Sequence, residues 1–299
     1  MVSKISKLRR KEVIMGYVFA SPWLIGFSIF TVYAFISVIY YSFTDFNAFT
    51  HPNYIGLSNY MELFNHDDLF PISLYNTAYY ACFSVPLGII TAFLLAELLN
   101  QKVRGLAFFR TIFYLPSVVP SVASSVLWLW ILNPNFGLLN IFLSILHLPT
   151  PLWLGSTEWA KPALILMSLW GVGGTMIIFL AGLQDVPQEL YESAELDGAG
   201  IMAKFMYITI PMMTPTLLYT LIMGIIGSFQ VFTQAFIMTQ GGPANSTLFY
   251  VLYLYRNAFQ YFKMGYASAQ ALILLVIILI LTVIVLSTSS KWVYYRGGG

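Results

Sequence analysis

The chain has 299 residues, of which 59% are hydrophobic and only 9% charged, with a mean hydropathy of +0.77. A soluble domain carries roughly 25% charged residues, so this chain cannot have water as its only solvent and reads as an integral membrane protein. The formal net charge of +2 gives no footing for nucleic-acid binding, because the basic residues flank apolar runs and read as determinants of membrane topology.

Six apolar runs lie near 14–44, 72–99, 106–132, 162–183, 212–238 and 266–290. Each reaches the roughly 20 residues that cross a hydrocarbon core. The runs are continuous rather than alternating, which excludes a membrane β-barrel, and lipid offers no partners for an open strand, so they are expected to be helices. The expected organisation is a basic N-terminal segment over 1–13, a six-helix membrane domain over 14–290 and a tail over 291–299. Gly297, Gly298 and Gly299 are set aside as an addition. The first run is too long for a cleavable leader and lacks a small-residue cleavage site.

An even number of spans places both termini on one side. Lys4, Lys7, Arg9, Arg10, Lys11, Lys102, Arg104, Arg110, Lys204, Lys291 and Arg296 then share that side, leaving Lys161, Arg256 and Lys263 opposite. Positive charge marks the cytoplasmic face, so both termini are expected in the cytoplasm. Cys82, within the second run, has no cysteine to pair with and is expected to pack in the core.

Along the chain, the connection 45–71 is polar, aromatic and turn-rich, and 133–161 (with NPNFGLLN and LPTPLW) fits short interfacial helices. Pro22, Pro86, Pro116, Pro120 and Pro215 lie in or beside spans, where each removes a backbone donor and bends its helix. The connection 239–265 opens on TQGGPAN, a sharp turn, and continues into an aromatic helical segment, interfacial or re-entrant. Glu97, near the inner end of span 2, is expected to pair with a cytoplasmic basic residue. His51, His66 and His147 fall in outside connections and read as surface residues.

Between spans 4 and 5 runs QDVPQELYESAELDGAGIMAKFMYITIPMMTP. Asp185 fits an N-cap and Pro187 a first turn, so a helix is expected through Tyr191, Ala194 and Leu196. It should stop at Asp197–Gly198, with a second helix from near Ala199 entering span 5 at Pro211. On this reading alone the loop is either a solvated connection or a rigid knob that docks on a soluble partner.

The spacing of that loop resembles the cytoplasmic signature of permease subunits of binding-protein-dependent ABC importers. That signature runs Glu-Ala-Ala, then Gly, then Ile-x-Leu-Pro. Glu192, Ser193 and Ala194 stand for the first three, Gly198 follows, and Ile208, Ile210 and Pro211 complete it; Ser193 and Ile210 are mild departures. The stretches YVFASPWLIGFSIFTVYAFISVIYYSFTDF, FRTIFYLPSVVPSVASSVLWLWILNPNFGLLN and FTQAFIMTQGGPANST are similar to MalF/UgpA-type sugar permeases over essentially the whole chain.

The resemblance implies an all-α MetI-like (type I) permease fold in a bacterial plasma membrane. It also implies a second homologous permease, two copies of a cytoplasmic ATPase and an extracytoplasmic sugar-binding protein. Glu192, Ser193, Ala194, Asp197, Gly198, Ile208 and Pro211, within 184–211, are then the ATPase-coupling loop. No GxxxxGK[ST] phosphate loop is present, so ATP and Mg are expected on the partner ATPases, and this chain is expected to bind no cofactor and to catalyse nothing.

A sugar needs hydrogen-bonding groups and flat aromatic faces, and polar groups inside spans are costly enough to be functional candidates. Ser228, Gln230, Phe232 and Gln234 in span 5 fit this. Gln230 and Gln234 would share a helix face at i, i+4, with Ser228 on a rather different one. In the maltose permease, positions just after the span-4 tryptophan also contribute; here they are Gly171, Val172 and Thr175 after Trp170. Their small size implies a roomier pocket or a role moved to the other permease, and Thr175 is kept as a candidate. Asn76, Tyr79, Trp128 and Trp130 are further candidates for the route. A glycerol-phosphate-type solute is an alternative cargo, disfavoured by the lack of Lys or Arg deep in the spans. An ion-coupled carrier would need buried ionisable residues, and a membrane enzyme clustered His, Asp or Glu.

Overall fold

The computed structural model describes residues 7–101 and 105–294, among which there are helices and no named strand. Helix α1 (Lys7–Phe27) already begins within the stretch read as the N-terminal tail and passes through a π-helical turn at 28–33 into α2 (Ala34–Ser42). Then come α3 (Ser58–Asn65), α4 (Leu69–Asn100), α5 (Leu106–Val118), α6 (Ser121–Ile131), α7 (Leu138–Ile145), α8 (Ala160–Trp170) and α9 (Gly173–Gln184). The chain continues through α10 (Gln188–Leu196), α11 (Ile201–Lys204), α12 (Ile210–Phe229), α13 (Thr233–Met238), α14 (Tyr250–Tyr255) and α15 (Met264–Ser289).

Four stretches, Arg10–Ser42, Leu69–Asn100, Ile201–Met238 and Met264–Ser289, are long and apolar enough to cross a membrane. The count rises to six if the bent pairs α5–α6 (100°) and α8–α9 (48°) are each one span. The run 106–132 is therefore no straight helix. Pro120 pushes the preceding Val119 to an extended conformation (φ −69°, ψ 128°), because the proline ring disfavours helical geometry in the residue before it. Pro22, Pro86 and Pro215, in contrast, lie inside helices whose assignment runs on through them.

The described chain divides into two compact units. The first takes in the residues up to His66 together with Arg256–Ile273. There Asn59 donates to the carbonyls of Ser42 and Thr44, both at 2.9 Å, and Asn257 donates to Gln270 Oε1 at 3.1 Å. Gly265 lies against the Thr44 backbone, too close for any Cβ, and gives its N–H to Phe46 at 2.8 Å.

The second unit holds Asp67–Tyr255 and the residues from Leu274 on. Its core joins α4, α9 and α12 through Ala92, Ala96, Met176, Phe179, Leu183 and Met213, all buried. Helices approach closely where small residues face one another. A Cβ on Gly182 would stand 2.9 Å from Met213 Cε, and one on Gly224 2.9 Å from Val85 Cγ1.

Three expectations shift. The aromatic segment after Gly242–Pro243 is not spread on a membrane surface: Leu248, Phe249 and Tyr250 are fully buried. It is stitched to α4 by Tyr250 N–H to Thr77 Oγ1 at 2.9 Å and by Asn76 Nδ2 to the Asn245 and Leu248 carbonyls at 2.8 and 3.2 Å. Cys82 is exposed rather than in the core, because Ala81 and Val85 take the inward face of α4. Glu97 Oε2 is buried with no partner among the described residues, and Arg110 donates to the Leu99 carbonyl at 2.9 Å; Lys102 and Arg104 lie outside the described residues. The connection 133–161 does hold a short amphipathic helix. Leu138, Ile141, Phe142 and Ile145 of α7 are exposed, while Asn140 is buried and accepts from Trp153 Nε1 at 2.7 Å.

Candidate functional site

The elbow at 184–211 is built as its sequence requires at its end and differently at its start. Pro187, with ψ 130°, is the N-cap of α10 and not its first turn, and Asp185 closes α9 by giving its N–H to the Gly182 and Leu183 carbonyls. Asp185 is therefore no cap for α10, which has no side-chain cap. At the other end Gly198 has φ +79°, with its N–H on the Glu195 carbonyl at 3.0 Å and Ala199 N–H on the Ala194 carbonyl at 2.8 Å. This is the paired closure of a helix by a left-handed residue, which glycine adopts without a Cβ penalty.

Two side-chain contacts fix the corner angle. Lys204 Nζ meets Glu195 Oε1 at 2.6 Å, and the Tyr191 and Thr209 hydroxyls share a hydrogen bond at 2.9 Å. The ion pair is partly exposed and so contributes little on its own; the hydroxyl bond ends on Thr209, which is buried. Glu192, Ser193, Asp197 and Gly198 are exposed, Ala194 half-buried. Ile208 falls in a π-helical turn at 205–209, and Pro211 begins α12, where a missing N–H costs nothing. The tip is less polar than its sequence implied, because Leu196, Ile201 and Tyr207 are 91%, 85% and 82% exposed. Periodicity missed it because Leu196 and Ile201 lie beside the glycines and Tyr207 in the π-helical turn, not along one helical stripe.

Ile201–Met238 runs from the elbow to a cavity of about 550 Å³. Thr175, Ser228, Gln230, Phe232 and Gln234 all line it, so residues singled out from two spans meet in one place. The helix does not continue past them as expected. It stops at Phe229, Phe232 takes φ −139° and ψ −60°, and α13 restarts at Thr233. The two glutamines therefore do not share a helical face, yet both reach the cavity. Irregular backbone at membrane depth is tolerated where it lines a cavity or is buried in protein.

Among the described residues no Asp, Glu, Lys, Arg or His lines this space. Ser168, Thr220 and Ser228 donate to carbonyls of their own helices at 2.6 to 3.1 Å, so their oxygens present lone pairs to the interior. The glutamine amides add both donors and acceptors. Phe232, Tyr80 and Tyr219 give the lining its aromatic faces, and Phe232 is held from behind by Phe236 and Tyr255, with centroids 5.2 and 5.0 Å away. Sequence reasoning missed Ser84, Ser121, Thr220 and Tyr219, which line the same space; serine and threonine in spans back-bond too commonly to stand out.

The remaining candidates lie elsewhere. Asn76 is 2% exposed and spent on structural bonds. Tyr79 packs on Phe83, Trp128 is buried 6.2 Å from Trp170, and Trp130 is half exposed; none lines the cavity. Val172 lines it, but Gly171 does not. Gly173 is small for another reason: a Cβ there would collide with the backbone of Phe113 and Tyr114 in α5. His51, His66 and His147 are exposed, and no group of metal-ligating side chains occurs among the described residues.

Residues 84–296 match the family described as binding-protein-dependent transport system inner membrane component. The chain is 42% identical over 296 residues to the probable ABC transporter permease protein YesP of Bacillus subtilis (strain 168), covering 98% of this chain and 96% of that one. It is 32% identical to the lactose transport system permease protein LacF of Rhizobium radiobacter, covering 90% and 92%. Its fold is similar to a chain of a bacterial alginate ABC transporter solved in complex with alginate pentasaccharide-bound periplasmic protein. That match has a TM-score of 0.82 and 25% identity, over 94% of this chain and 96% of that one. An ion-coupled carrier and a membrane enzyme are thereby set aside: this chain belongs to the binding-protein-dependent ABC transport system inner membrane components, as a membrane-spanning permease subunit.

Proposed function

We propose that this chain forms half of an alternating-access path for a neutral saccharide or oligosaccharide. The observation that carries the reading is the cavity's chemistry: hydroxyl oxygens, two primary amides, aromatic faces and no formal charge. A sugar presents hydroxyls that donate and accept, and C–H faces that lie on rings, so both needs are met. A phosphate-bearing solute would leave its charge unpaired on this side of the path, at a cost of several kcal/mol in a low-dielectric space. The relative whose name mentions lactose supports the same class, whereas the alginate named for the structural neighbours is an acidic polysaccharide and supports a saccharide without supporting its neutrality.

In this reading a second homologous permease supplies the other wall, an extracytoplasmic binding protein delivers the sugar, and two copies of a cytoplasmic ATPase bind ATP and Mg. The 184–211 loop lies in the cytoplasm with both termini. ATP draws the two ATPases together and turns the α10 elbow, and the Tyr191–Thr209 and Glu195–Lys204 contacts pass that turn to the helix that ends at the cavity. Rigid-body rocking of this kind needs a stiff connection. The test is ATP hydrolysis by the reconstituted complex with its binding protein, measured against neutral sugars and charged solutes. Stimulation by a saccharide is expected; stimulation by an anionic solute alone would overturn the cargo assignment.

A further inference from the structure

A second groove lies between α4 and α8, and among the described residues no polar side chain lines it except the Tyr79 hydroxyl. Its walls are Tyr79, Phe83 and Leu87 on one helix and Pro162, Ile165, Leu166 and Leu169 on the other, enclosing about 280 Å³. The spacings i, i+4, i+8 and i, i+3, i+4, i+7 place each set along one helix face. From Tyr79 to Leu87 the groove runs about 12 Å at the helical rise, most of the roughly 15 Å depth of one leaflet.

Lys161 stands at its head, one residue before Pro162. Its ammonium lies 4.8 Å from the Tyr79 ring centroid and 4.9 Å from that of Tyr75, and donates to Asn76 Oδ1 at 3.0 Å. No carboxylate pairs with it among the described residues. The result is a positive charge held half-buried at the end of an apolar slot that shares no lining residue with the neutral cavity. Asn76 is itself pinned to the Asn245 and Leu248 carbonyls, so the ammonium is kept in place instead of swinging into water.

We infer that this groove binds one anionic phospholipid, with an acyl chain along Phe83, Leu87 and Leu166 and the headgroup phosphate on Lys161. Charge complementarity selects this occupant. A neutral apolar helix from a partner subunit would fill the slot but leave the ammonium without a counter-ion, whereas a phosphodiester supplies the charge and the chain together. Tyr75, 62% exposed beside the ammonium, adds a hydroxyl at headgroup depth, where aromatic side chains with a polar tip settle.

The test uses the intact transporter complex in nanodiscs of phosphatidylcholine doped with phosphatidylglycerol. A photoreactive phosphatidylglycerol probe is included, and lipid retention is read by native mass spectrometry. Wild type should retain phosphatidylglycerol over phosphatidylcholine by about fivefold, the preference one basic side chain gives for an anionic headgroup, with probe adducts on α4 and α8 peptides. K161Q should abolish the preference and K161R keep it. L166W, which fills the slot without touching the charge, should lose the adducts. No preference in wild type, an unchanged preference in K161Q, or adducts displaced by a partner-subunit helix crosslinked at Leu166 would each overturn the assignment. The sugar-stimulated hydrolysis test is separate, so one reading can fail without the other.

Discussion

Two corners interrupt the path from α10 to α13, and they are made in different ways. At Gly198 the chain turns in the open with its own chemistry: a left-handed glycine, two closing backbone bonds and no atom within 4 Å of where a Cβ would be. At Gln230–Phe232 it turns with no proline and no glycine in the break, beside a cavity, and α13 restarts against α6. The first corner is a property of a few residues, the second of the surrounding bundle. A locally made corner should fail when its one special residue is changed; a corner made by its surroundings should survive single changes that alter only what it presents.

The largest effect that would break this contrast concerns Gly198. Proline cannot adopt φ +79° and removes the N–H that Glu195 receives, so Gly198→Pro should cost about 3 kcal/mol or more at the elbow. Sugar-stimulated ATP hydrolysis should fall at least about tenfold with insertion intact. Gly198→Ala, strained by roughly 1–2 kcal/mol, should keep part of the activity. Next, Gln230→Ala and Gln234→Ala should each raise the half-saturating sugar concentration about fivefold, for a lost hydrogen bond of about 1 kcal/mol. Basal hydrolysis and thermal unfolding should stay unchanged, and a collapse of folding would mean the break is held by its own residues after all.

A smaller effect is expected at the clip. Tyr191→Phe deletes the hydroxyl bond to Thr209, about 1 kcal/mol, and should lower the ratio of sugar moved to ATP hydrolysed about twofold to threefold without changing sugar affinity. The smallest effect lies at a third corner, after α2. There Asn53, through its side chain and then its backbone N–H, holds the Asp45 carboxyl below the usual carboxylate range. A depressed carboxylate contributes stability above its unfolded pKa and loses it as pH falls through the folded value. Asp45→Asn should therefore lower the unfolding temperature slightly at neutral pH, a difference that vanishes below about pH 4, with transport unaltered.

The same contrast explains what could be read from the sequence. Gly198 was legible because a helix stop of this kind is written in adjacent residues. The bend at Val119–Pro120 was legible as a kink but not as a 100° corner, since a proline forbids helical geometry before it without fixing the direction taken afterwards. Asp185 misled because capping residues serve whichever helix end reaches them first, here the end of α9. Thr175, taken from the resemblance, and Ser228, Gln230, Phe232 and Gln234, taken as hydrogen-bonding or aromatic groups in an apolar span, line one cavity, although the helical register that linked the glutamines was wrong. Asn76 carries the same polarity and is a strut, and Gly173 is small for α5 and not for a ligand. Both depend on neighbours distant in sequence, which no window along the chain contains.

The uninterrupted Ile210–Phe229 helix has one more consequence. Along it the end of the elbow at Pro211 stands about 12 Å from Tyr219, where the cavity lining begins, and the two share no residue. What the chain carries and what drives it can therefore drift independently in evolution. On the proposed reading, a small set of substitutions around 228–234 would give a new cargo without renegotiating the fit to an ATPase, and grafting that segment between relatives is the corresponding route to redesigning selectivity.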